Sequence, residues 1–242
     1  MTKLSVNVNK IATLRNSRGK NHPNLLQYTL DIIHFGAQGI TVHPRPDGRH
    51  IQYADVYTIA HAIDVEFNVE GFPDEVYLKL VQEVKPTQCT LVPDPPQTLT
   101  SNAGWALVDN QIFLKDTVRR LQDFGIRTAL FVDPFTLTAK ELDALAIIAP
   151  DRIELYTEAY ADAFATDTVD EILNVYKTAA AHINQLGIAL NAGHDLNLKN
   201  LRPFIQAIPN IQEVSIGHAL ISDALYFGLK ETISRYLACL NV

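Results

Sequence analysis

The chain has 242 residues, of which 47% are hydrophobic and 19% are charged, and its formal net charge is -7. The apolar fraction suffices for a substantial core and argues against disorder, while the acidic balance argues against a nucleic-acid-binding surface. The two cysteines, Cys89 and Cys239, are far apart and lack metal-ligand spacing, so neither a disulfide framework nor a zinc site is indicated.

The segment that begins the chain, MTKLSVNVNK, lacks the continuous apolar stretch of a signal peptide. No apolar run approaches the length of a membrane span. We therefore expect a cytoplasmic protein with no membrane partner. Because no linker, repeat or low-complexity tract divides the sequence, residues 1–242 are predicted to form a single domain.

Short aliphatic runs alternate with longer helical patterns along the chain. The pattern predicts eight strands, at residues 4–8, 39–43, 65–70, 88–93, 127–132, 152–156, 188–191 and 213–216. Thr138 and Glu141, after the fifth strand, have the spacing of a helix capping box, and Pro150 ends the helix that follows.

The strongest helical pattern covers residues 167–186, where the apolar side chains fall on one face. Thr168 and Glu171 repeat the capping-box spacing at its start, and Gly187 stands where a C-cap is expected. Eight such βα units of about 30 residues each predict an α/β fold of the (β/α)8 TIM-barrel type. A doubly wound open sheet is the rival, but no glycine-rich dinucleotide or P-loop motif supports it.

Polar side chains stand at the predicted strand ends. They are Asn7, Asn9, His43, Glu70, Asp133, Glu154, Asn191, His194 and His218, the last of which directly follows Gly217. In a barrel these ends meet at one mouth, where βα loops carry the chemistry. Any one of these polar groups could be a satisfied core residue, but the convergence of several titratable groups favours a functional site.

Two segments have the character of anion sites. In GITVHPRPDGRHI, residues 39–51, Arg45 offers a planar fork suited to phosphate, and Asp47-Gly48 allows the chain to turn and bring His50 back. In SIGHA, residues 215–219, glycine at a strand exit exposes backbone N–H groups ahead of a short helix. Two such sites suggest two phosphorylated substrates or one bisphosphate.

A further set of motifs runs through the chain: VNVN (6–9), IATLRN (11–16), Arg18-Gly19, GITVH (39–43), Arg45, Arg49, His50, NVE (68–70), LVP (91–93), IE (153–154), NAGH (191–194) and IGHA (216–219). In these motifs the chain resembles the pyridoxine 5′-phosphate synthase family. This resemblance extends over nearly the whole chain. It implies a barrel with a few added helices, assembled as a homo-octamer built from dimers. It also implies condensation of 3-amino-1-hydroxyacetone 1-phosphate with 1-deoxy-D-xylulose 5-phosphate to give pyridoxine 5′-phosphate, phosphate and water, with no metal and no organic cofactor.

The resemblance also implies residue roles. His43 and Glu70 correspond to proton acceptors, His194 to a proton donor, and Glu154 to a group that stabilises a charged intermediate. The substrate-binding residues it implies are Asn7, Arg18, Gly217, His218 and the backbone of Asp195 for the aminoacetone phosphate, and Arg45, His50 and Thr100 for the deoxyxylulose phosphate. Residues 94–104 resemble the loop that closes over the site, which we expect to exclude water.

The chain departs from the family pattern at two places. Asp-His is usual where this chain has Asn9-Lys10, a pair expected to contact the deoxyxylulose phosphate, so we predict activity with altered affinity for that substrate. Glycine is common where this chain has Asp195, so the carboxylate is expected to face away from the phosphate.

Two other function classes stay open on the sequence. One is a different phosphosugar-handling barrel enzyme, an isomerase, epimerase or aldolase, although no Schiff-base lysine or metal site is evident for an aldolase. The other is a non-catalytic protein that binds a phosphorylated ligand, since fold does not fix function. The presence of His43, Glu70 and His194 together argues against the second class.

Overall fold

The structure is a computed structural model that describes residues 1–93 and 103–241. Eight parallel strands close into a barrel in the order in which they occur along the chain. They are β1 (Lys3–Asn7), β2 (Gly39–Val42), β3 (Glu66–Gly71), β4 (Gln88–Leu91), β5 (Arg127–Val132), β6 (Arg152–Leu155), β7 (Ala189–Gly193) and β8 (Ile211–Ile216). Because β8 pairs with β1, the sheet is closed, which confirms the TIM barrel and excludes the open sheet.

The helices surround this barrel. Those described are α1 (Asn9–Asn16), α2 (Leu25–His34), α3 (Tyr53–Ala60), α4 (Glu75–Val84), α5 (Gln111–Asp123), α6 (Ala139–Ile148), α7 (Glu158–Ala163), α8 (Val169–Gln185), α9 (Leu201–Ala207), α10 (His218–Phe227) and α11 (Leu229–Leu240). The segments after β1, β6 and β8 each carry two helices, so the expected additional helices are present. None of the helices in the described ranges is long and apolar enough to cross a membrane.

All eight predicted strands form, with ends displaced by at most two residues. Of the capping box predicted at the start of α6, one hydrogen bond forms, in which the Thr138 hydroxyl accepts from the Glu141 backbone amide. The Glu141 carboxylate does not return to the start of the helix but accepts a hydrogen bond from the Leu107 amide at 2.6 Å. Ala149, with φ of +54°, ends this helix ahead of Pro150.

The capping box predicted at the start of α8 is wrong. The Thr168 hydroxyl bonds the hydroxyl of Thr166 at 2.8 Å and does not cap the helix. At the other end the prediction holds, because Gly187 follows α8 with φ of +75°, a conformation that glycine adopts without a steric penalty. The predicted apolar face is buried at Tyr176, Ala179, Ala180 and Ile183.

The barrel has an apolar outer face and a polar interior. Strand residues such as Leu4, Ile40 and Leu190 are fully buried in the main hydrophobic cluster. The alternate strand residues form a hydrogen-bonded polar network, in which the hydroxyls of Ser5 and Thr41 lie 2.7 Å apart. Branched apolar residues usually fill a TIM barrel. Here polar groups form the floor beneath the strand ends.

An ion network closes the opposite end of the barrel from those strand ends. It consists of Lys3, Glu66, Arg127, Arg152 and Glu213, the first residues or near-first residues of their strands. The Arg152 guanidinium lies 3.5 Å from the Glu213 carboxylate. This network is distant along the strands from the predicted site and serves the fold.

Candidate active site

The carboxyl ends of the strands surround one cleft of about 490 Å³. Its lining residues are Asn7, Asn9, Lys10, Thr13, His43, Arg45, Arg49, His50, Glu70, Glu154, His194, Asp195, Ser215, Gly217 and His218. These come from β1, β2, β3, β6, β7 and β8 and the loops that follow them. The parallel barrel therefore brings together residues that are more than 200 positions apart in the sequence.

His43 and Glu70 face each other in this cleft. His43 directly follows β2 and Glu70 lies on β3, and the His43 Nδ1 atom is 3.6 Å from the Glu70 carboxylate. Burial and the charges of Arg45 and His50 hold the pKa of His43 well below its usual value, so the imidazole is neutral at physiological pH. Burial raises the pKa of Glu70 to about 7, against the opposing effect of His194 and Arg45. The pair therefore has two groups able to accept a proton near neutrality.

Glu154 lies deeper, on β6. It is buried, and one carboxylate oxygen accepts a hydrogen bond from the Thr90 hydroxyl at 3.4 Å. Burial first, and then the charges of Glu70 and Glu213, raise the pKa of Glu154 well above its usual value. Without a cation beside it, this carboxyl keeps its proton to a higher pH than an exposed glutamate does, and a positively charged ligand in the cleft would favour its ionised form.

Cationic and imidazole groups line the side of the cleft next to β2. Arg45 is buried there, and Arg49, His50 and Lys10 line the same cleft. Burial and the charges of Arg45, Lys10 and Arg49 lower the pKa of His50 to about 4. The His50 Nδ1 atom accepts the Ile51 amide at 2.9 Å, so the neutral ring carries its proton on Nε2, where it can be donated to an anion.

The loop that carries these groups is anchored by α1. The Asn16 side-chain amide donates to the carbonyls of Gly48 and His50 at 3.1 and 2.7 Å. Arg15 beside it is paired with both carboxylate oxygens of Asp55, at 2.6 and 2.8 Å. These contacts explain why a glycine-containing loop holds a fixed conformation.

Asn7 and Asn9 connect β1 to its neighbours. The Asn9 side-chain oxygen, Oδ1, accepts a hydrogen bond from the His43 backbone amide at 3.0 Å, and the Asn7 Oδ1 atom accepts one from the Asn9 backbone amide at 3.0 Å. Asn9 lines the cleft, as its predicted contact with a substrate requires, and its Oδ1 atom also fixes the backbone of His43. Lys10 lies in the cleft, close enough for its charge to lower the pKa of His50.

The exit of β8 forms the second predicted anion site. Gly217 immediately precedes α10, whose first N–H groups have no carbonyl partner within the helix. A Cβ on Gly217 would lie 3.0 Å from the Asn7 Cβ, so a side chain there would crowd Asn7. Ser215, two residues earlier, was not predicted as a site residue. Its buried hydroxyl has no hydrogen-bond partner among the described residues and lines the cleft.

His194 and Asp195 follow β7. The His194 Nδ1 atom lies 2.9 Å from the Asp195 carboxylate, so this carboxylate faces the imidazole. Burial lowers the pKa of His194, but the hydrogen bond and charge of Asp195 and the charges of Glu70 and Glu158 more than offset it, and the net shift is upward. His194 is thus the imidazole in the cleft that favours its protonated form.

Comparison with known protein families identifies the family of this chain. The family model described as pyridoxal phosphate biosynthesis protein PdxJ matches residues 4–242. The chain belongs to the PdxJ family. Among curated members, pyridoxine 5′-phosphate synthase of Porphyromonas gingivalis is 54% identical over 239 residues, which cover 98% of each chain. The synthase of Parabacteroides distasonis is 53% identical over 241 residues and 100% of each chain.

Solved structures outside the PdxJ family share the fold. Tryptophan synthase of Mycobacterium tuberculosis has a TM-score of 0.67 at 12% identity, covering 100% of this chain and 93% of that one. N-(5′-phosphoribosyl)anthranilate isomerase of Pyrococcus furiosus has a TM-score of 0.62 at 14% identity, with 100% of both chains covered. At these identities the likeness establishes the barrel fold alone.

The site residues predicted from the PdxJ resemblance mostly meet in the cleft. Of those that the structure describes, all except Arg18 line it. Arg18 is exposed in the turn after α1, and its neighbours Gly19 and Lys20 line a separate cavity of about 460 Å³ against α2 and α3. Thr100, and residues 94–102 of the predicted closing loop, lie outside the described residues. No group of three His, Cys, Asp or Glu in the described ranges could hold a metal ion.

Proposed function

We infer that the chain is a pyridoxine 5′-phosphate synthase, an enzyme of vitamin B6 biosynthesis. It condenses 3-amino-1-hydroxyacetone 1-phosphate with 1-deoxy-D-xylulose 5-phosphate and releases pyridoxine 5′-phosphate, phosphate and water. The observation that supports this chemistry best is the cleft itself. It holds a neutral His43, a Glu70 with a pKa of about 7 and a His194 with a raised pKa, beside two anion-binding regions.

His43 and Glu70 are assigned as proton acceptors. Ring formation from an amine and a ketone requires protons to be removed from carbon and nitrogen and delivered to departing oxygen. A base must be unprotonated when the substrate binds, and the depressed pKa of His43 meets that need. Glu70, poised near neutrality, accepts a proton and releases it within one turnover, which such a group does most efficiently near its own pKa.

Glu154 is assigned to a charged intermediate. The reaction passes through an imine when the substrate amine meets the ketone, and a protonated imine carries positive charge. In the free protein the pKa of Glu154 is raised by burial and by Glu70, so its ionisation is costly. A cation placed beside it would remove that cost, so Glu154 would stabilise the intermediate more than the neutral substrate.

The two phosphates are assigned to the two anion regions. The aminoacetone phosphate would contact Asn7, the Gly217-His218 backbone and the N-terminus of α10, with the Ser215 hydroxyl as an additional partner. The deoxyxylulose phosphate would contact Arg45, His50 through its Nε2 proton, and Lys10. Arg18 and Thr100 remain predictions from the family resemblance.

We also propose that residues 1–242 form one barrel domain, that the protein is cytoplasmic, and that it assembles as a homo-octamer built from dimers. The eight strands close one barrel, and α11 packs against α2, α9 and β1.

Exposed apolar side chains, Leu225 and Tyr226 at the end of α10, support an interface between copies. Sedimentation equilibrium of the purified protein should give eight times the chain mass, and a monomer would contradict the octamer.

The test of the activity is direct. Purified protein is incubated with both phosphorylated substrates, pyridoxine 5′-phosphate is measured by mass spectrometry, and inorganic phosphate is measured by a colorimetric assay. We expect product and phosphate in equal amounts, and neither when one substrate is omitted. Binding of either substrate without product would contradict the synthase and favour a relative with a different second substrate.

A further inference from the structure

The imidazole of His194 is held in an unusual backbone conformation. His194 has φ of +26°, in the left-handed region that residues with a side chain rarely adopt. The residue before it, Gly193, lies so close to β8 that a Cβ would be 2.0 Å from the Ser215 carbonyl oxygen. The rings of Phe131 and Tyr156 lie 6.4 and 6.1 Å from the imidazole, centre to centre. The fold therefore fixes where this side chain enters the cleft.

The backbone of Asp195 is fixed as well. Its amide donates to the Thr157 hydroxyl at 3.2 Å, and its carbonyl accepts the Asn200 side-chain amide at 3.4 Å. The Thr157 hydroxyl in turn donates to the Gly193 carbonyl at 2.8 Å. These bonds hold the loop after β7 on both sides of His194 and direct the Asp195 carboxylate to the imidazole.

This arrangement resolves the difficulty raised by a carboxylate beside a phosphate site. If the Asp195 carboxylate pointed at the phosphate, the two negative charges would repel each other. The carboxylate points instead to His194, and its Oδ2 atom lies 2.9 Å from the Nδ1 atom of the imidazole. A carboxylate that accepts from Nδ1 keeps one proton on that atom, so the second proton of the imidazolium lies on Nε2 and is the one that can be donated. It also stabilises the imidazolium, as an aspartate does when it bonds a catalytic histidine.

We propose that Asp195 is a positioning residue that keeps His194 protonated and presents its Nε2 proton to the cleft. The inference rests on the proposed function, in which His194 is the proton donor. Asp195 thus acts through the imidazole.

Several other charged groups face His194. The charges of Glu70 on β3 and Glu158 on α7 favour the protonated form of His194. Glu158 also accepts a hydrogen bond from the Tyr156 hydroxyl. His43 is neutral and adds no charge. Asp195 differs from these carboxylates because it bonds the imidazole directly, so its removal should have the largest effect on the pKa of His194.

The experiment compares the purified protein with Asp195→Asn and Asp195→Gly. The pKa of His194 is obtained without turnover, from the pH dependence of deuterium exchange at the imidazole C2 position, read by mass spectrometry of the peptide that contains it. We expect the pKa of His194 to fall by about one pH unit in both variants. The basic limb of the kcat/KM profile should move down by the same amount, because activity requires the protonated donor and is lost as the pH rises through its pKa.

Asp162→Asn is the matched control. It removes the same charge from an exposed position on α7, the helix that also carries Glu158. We expect both the pKa of His194 and the pH profile to be unchanged, and His61 and His182 serve as internal references in every sample.

An unchanged pKa of His194 in Asp195→Asn would overturn the proposal, and so would a lowered pKa without any movement of the basic limb. If the unaltered protein forms no product, the proposed function fails. The exchange measurement then still reports whether Asp195 controls the protonation of His194.

Discussion

The Nδ1 atom of His43 lies 3.6 Å from the carboxylate of Glu70, and burial acts on the two groups in opposite directions. It lowers the pKa of the imidazole and raises the pKa of the carboxyl to about 7. Both effects have one cause, because a site that excludes water disfavours whichever form is charged. Near neutral pH, Glu70 is therefore the member of the pair that binds a proton, and His43 remains neutral.

The pH dependence of the reaction should reveal the titration of the Glu70 carboxyl. Glu70 accepts a proton only when ionised, and its pKa is about 7. We expect kcat/KM, which reports the free enzyme, to fall about tenfold per pH unit below pH 7. A profile that stays flat down to pH 5.5 would contradict either the raised pKa or the role of Glu70 as a base.

Glu70→Gln should abolish most of the turnover and leave substrate binding. The amide keeps the shape of the side chain but cannot accept a proton, so we expect kcat to fall by about 10²- to 10⁴-fold. Binding of each substrate is measured by calorimetry. Glu75→Gln, an exposed carboxylate on α4, is the matched control and should retain full activity. Near-normal turnover in Glu70→Gln would remove Glu70 as a base.

Glu154→Gln should stabilise the fold while impairing the reaction. The pKa of Glu154 is raised well above its value in an unfolded chain, so the folded state binds the proton more tightly. Its contribution to stability is therefore lost as the pH rises above about 4.5, and a neutral amide avoids that loss. We expect the melting temperature of the variant to exceed that of the original protein by several degrees at pH 8 and to match it near pH 5.

The control for this change is Glu171→Gln, on the exposed first turn of α8. It should not raise the melting temperature at pH 8. A variant Glu154→Gln that is less stable than the original protein at both pH values would show that the carboxyl is ionised and paired in the folded state.

Lys10→Ala tests the departure from the family pattern. Lys10 lines the cleft, and its charge lowers the pKa of His50. If the ammonium contacts the deoxyxylulose phosphate, we expect the Michaelis constant for this substrate to rise about tenfold, which corresponds to about 1.4 kcal/mol. The Michaelis constant for the aminoacetone phosphate should not change. Lys79→Ala on the exposed face of α4 is the control, and an unchanged constant in Lys10→Ala would place Lys10 outside the site.

Asn16→Ala should loosen the loop that carries His50. The variant loses hydrogen bonds to the carbonyls of Gly48 and His50, so we expect unfolding to cost about 1 kcal/mol less. Because His50 is then less well oriented, the Michaelis constant for the deoxyxylulose phosphate should rise severalfold. Denaturant titration and steady-state kinetics measure both effects, with the exposed Asn174→Ala as the control. Unaltered kinetics would show that the loop is held by other contacts.

The fold class and the reacting groups can be read from the amino-acid sequence. Eight short aliphatic runs spaced by helical patterns admit a closed parallel barrel, since each parallel strand requires a crossover helix. Because the carboxyl ends of such strands meet at one mouth, His43, Glu70 and His194 could be expected to converge without coordinates. Local turn chemistry was less reliable: the spacing of Thr168 and Glu171 indicated a cap that the hydroxyl of Thr166 prevents.

How these groups are held and charged follows from the folded arrangement and not from residue type or spacing. Contacts between distant segments, or backbone torsions, determine three of these features. They are the hydrogen bond between Asn9 and the His43 amide, the position of Arg18 outside the cleft and the direction of the Asp195 carboxylate. The raised pKa of Glu70 and the lowered pKa of His43 likewise require knowledge of burial and of neighbouring charges. Residue type and spacing specify which chemistry is available, but desolvation and hydrogen-bond direction, which set protonation, arise only when the chain has folded.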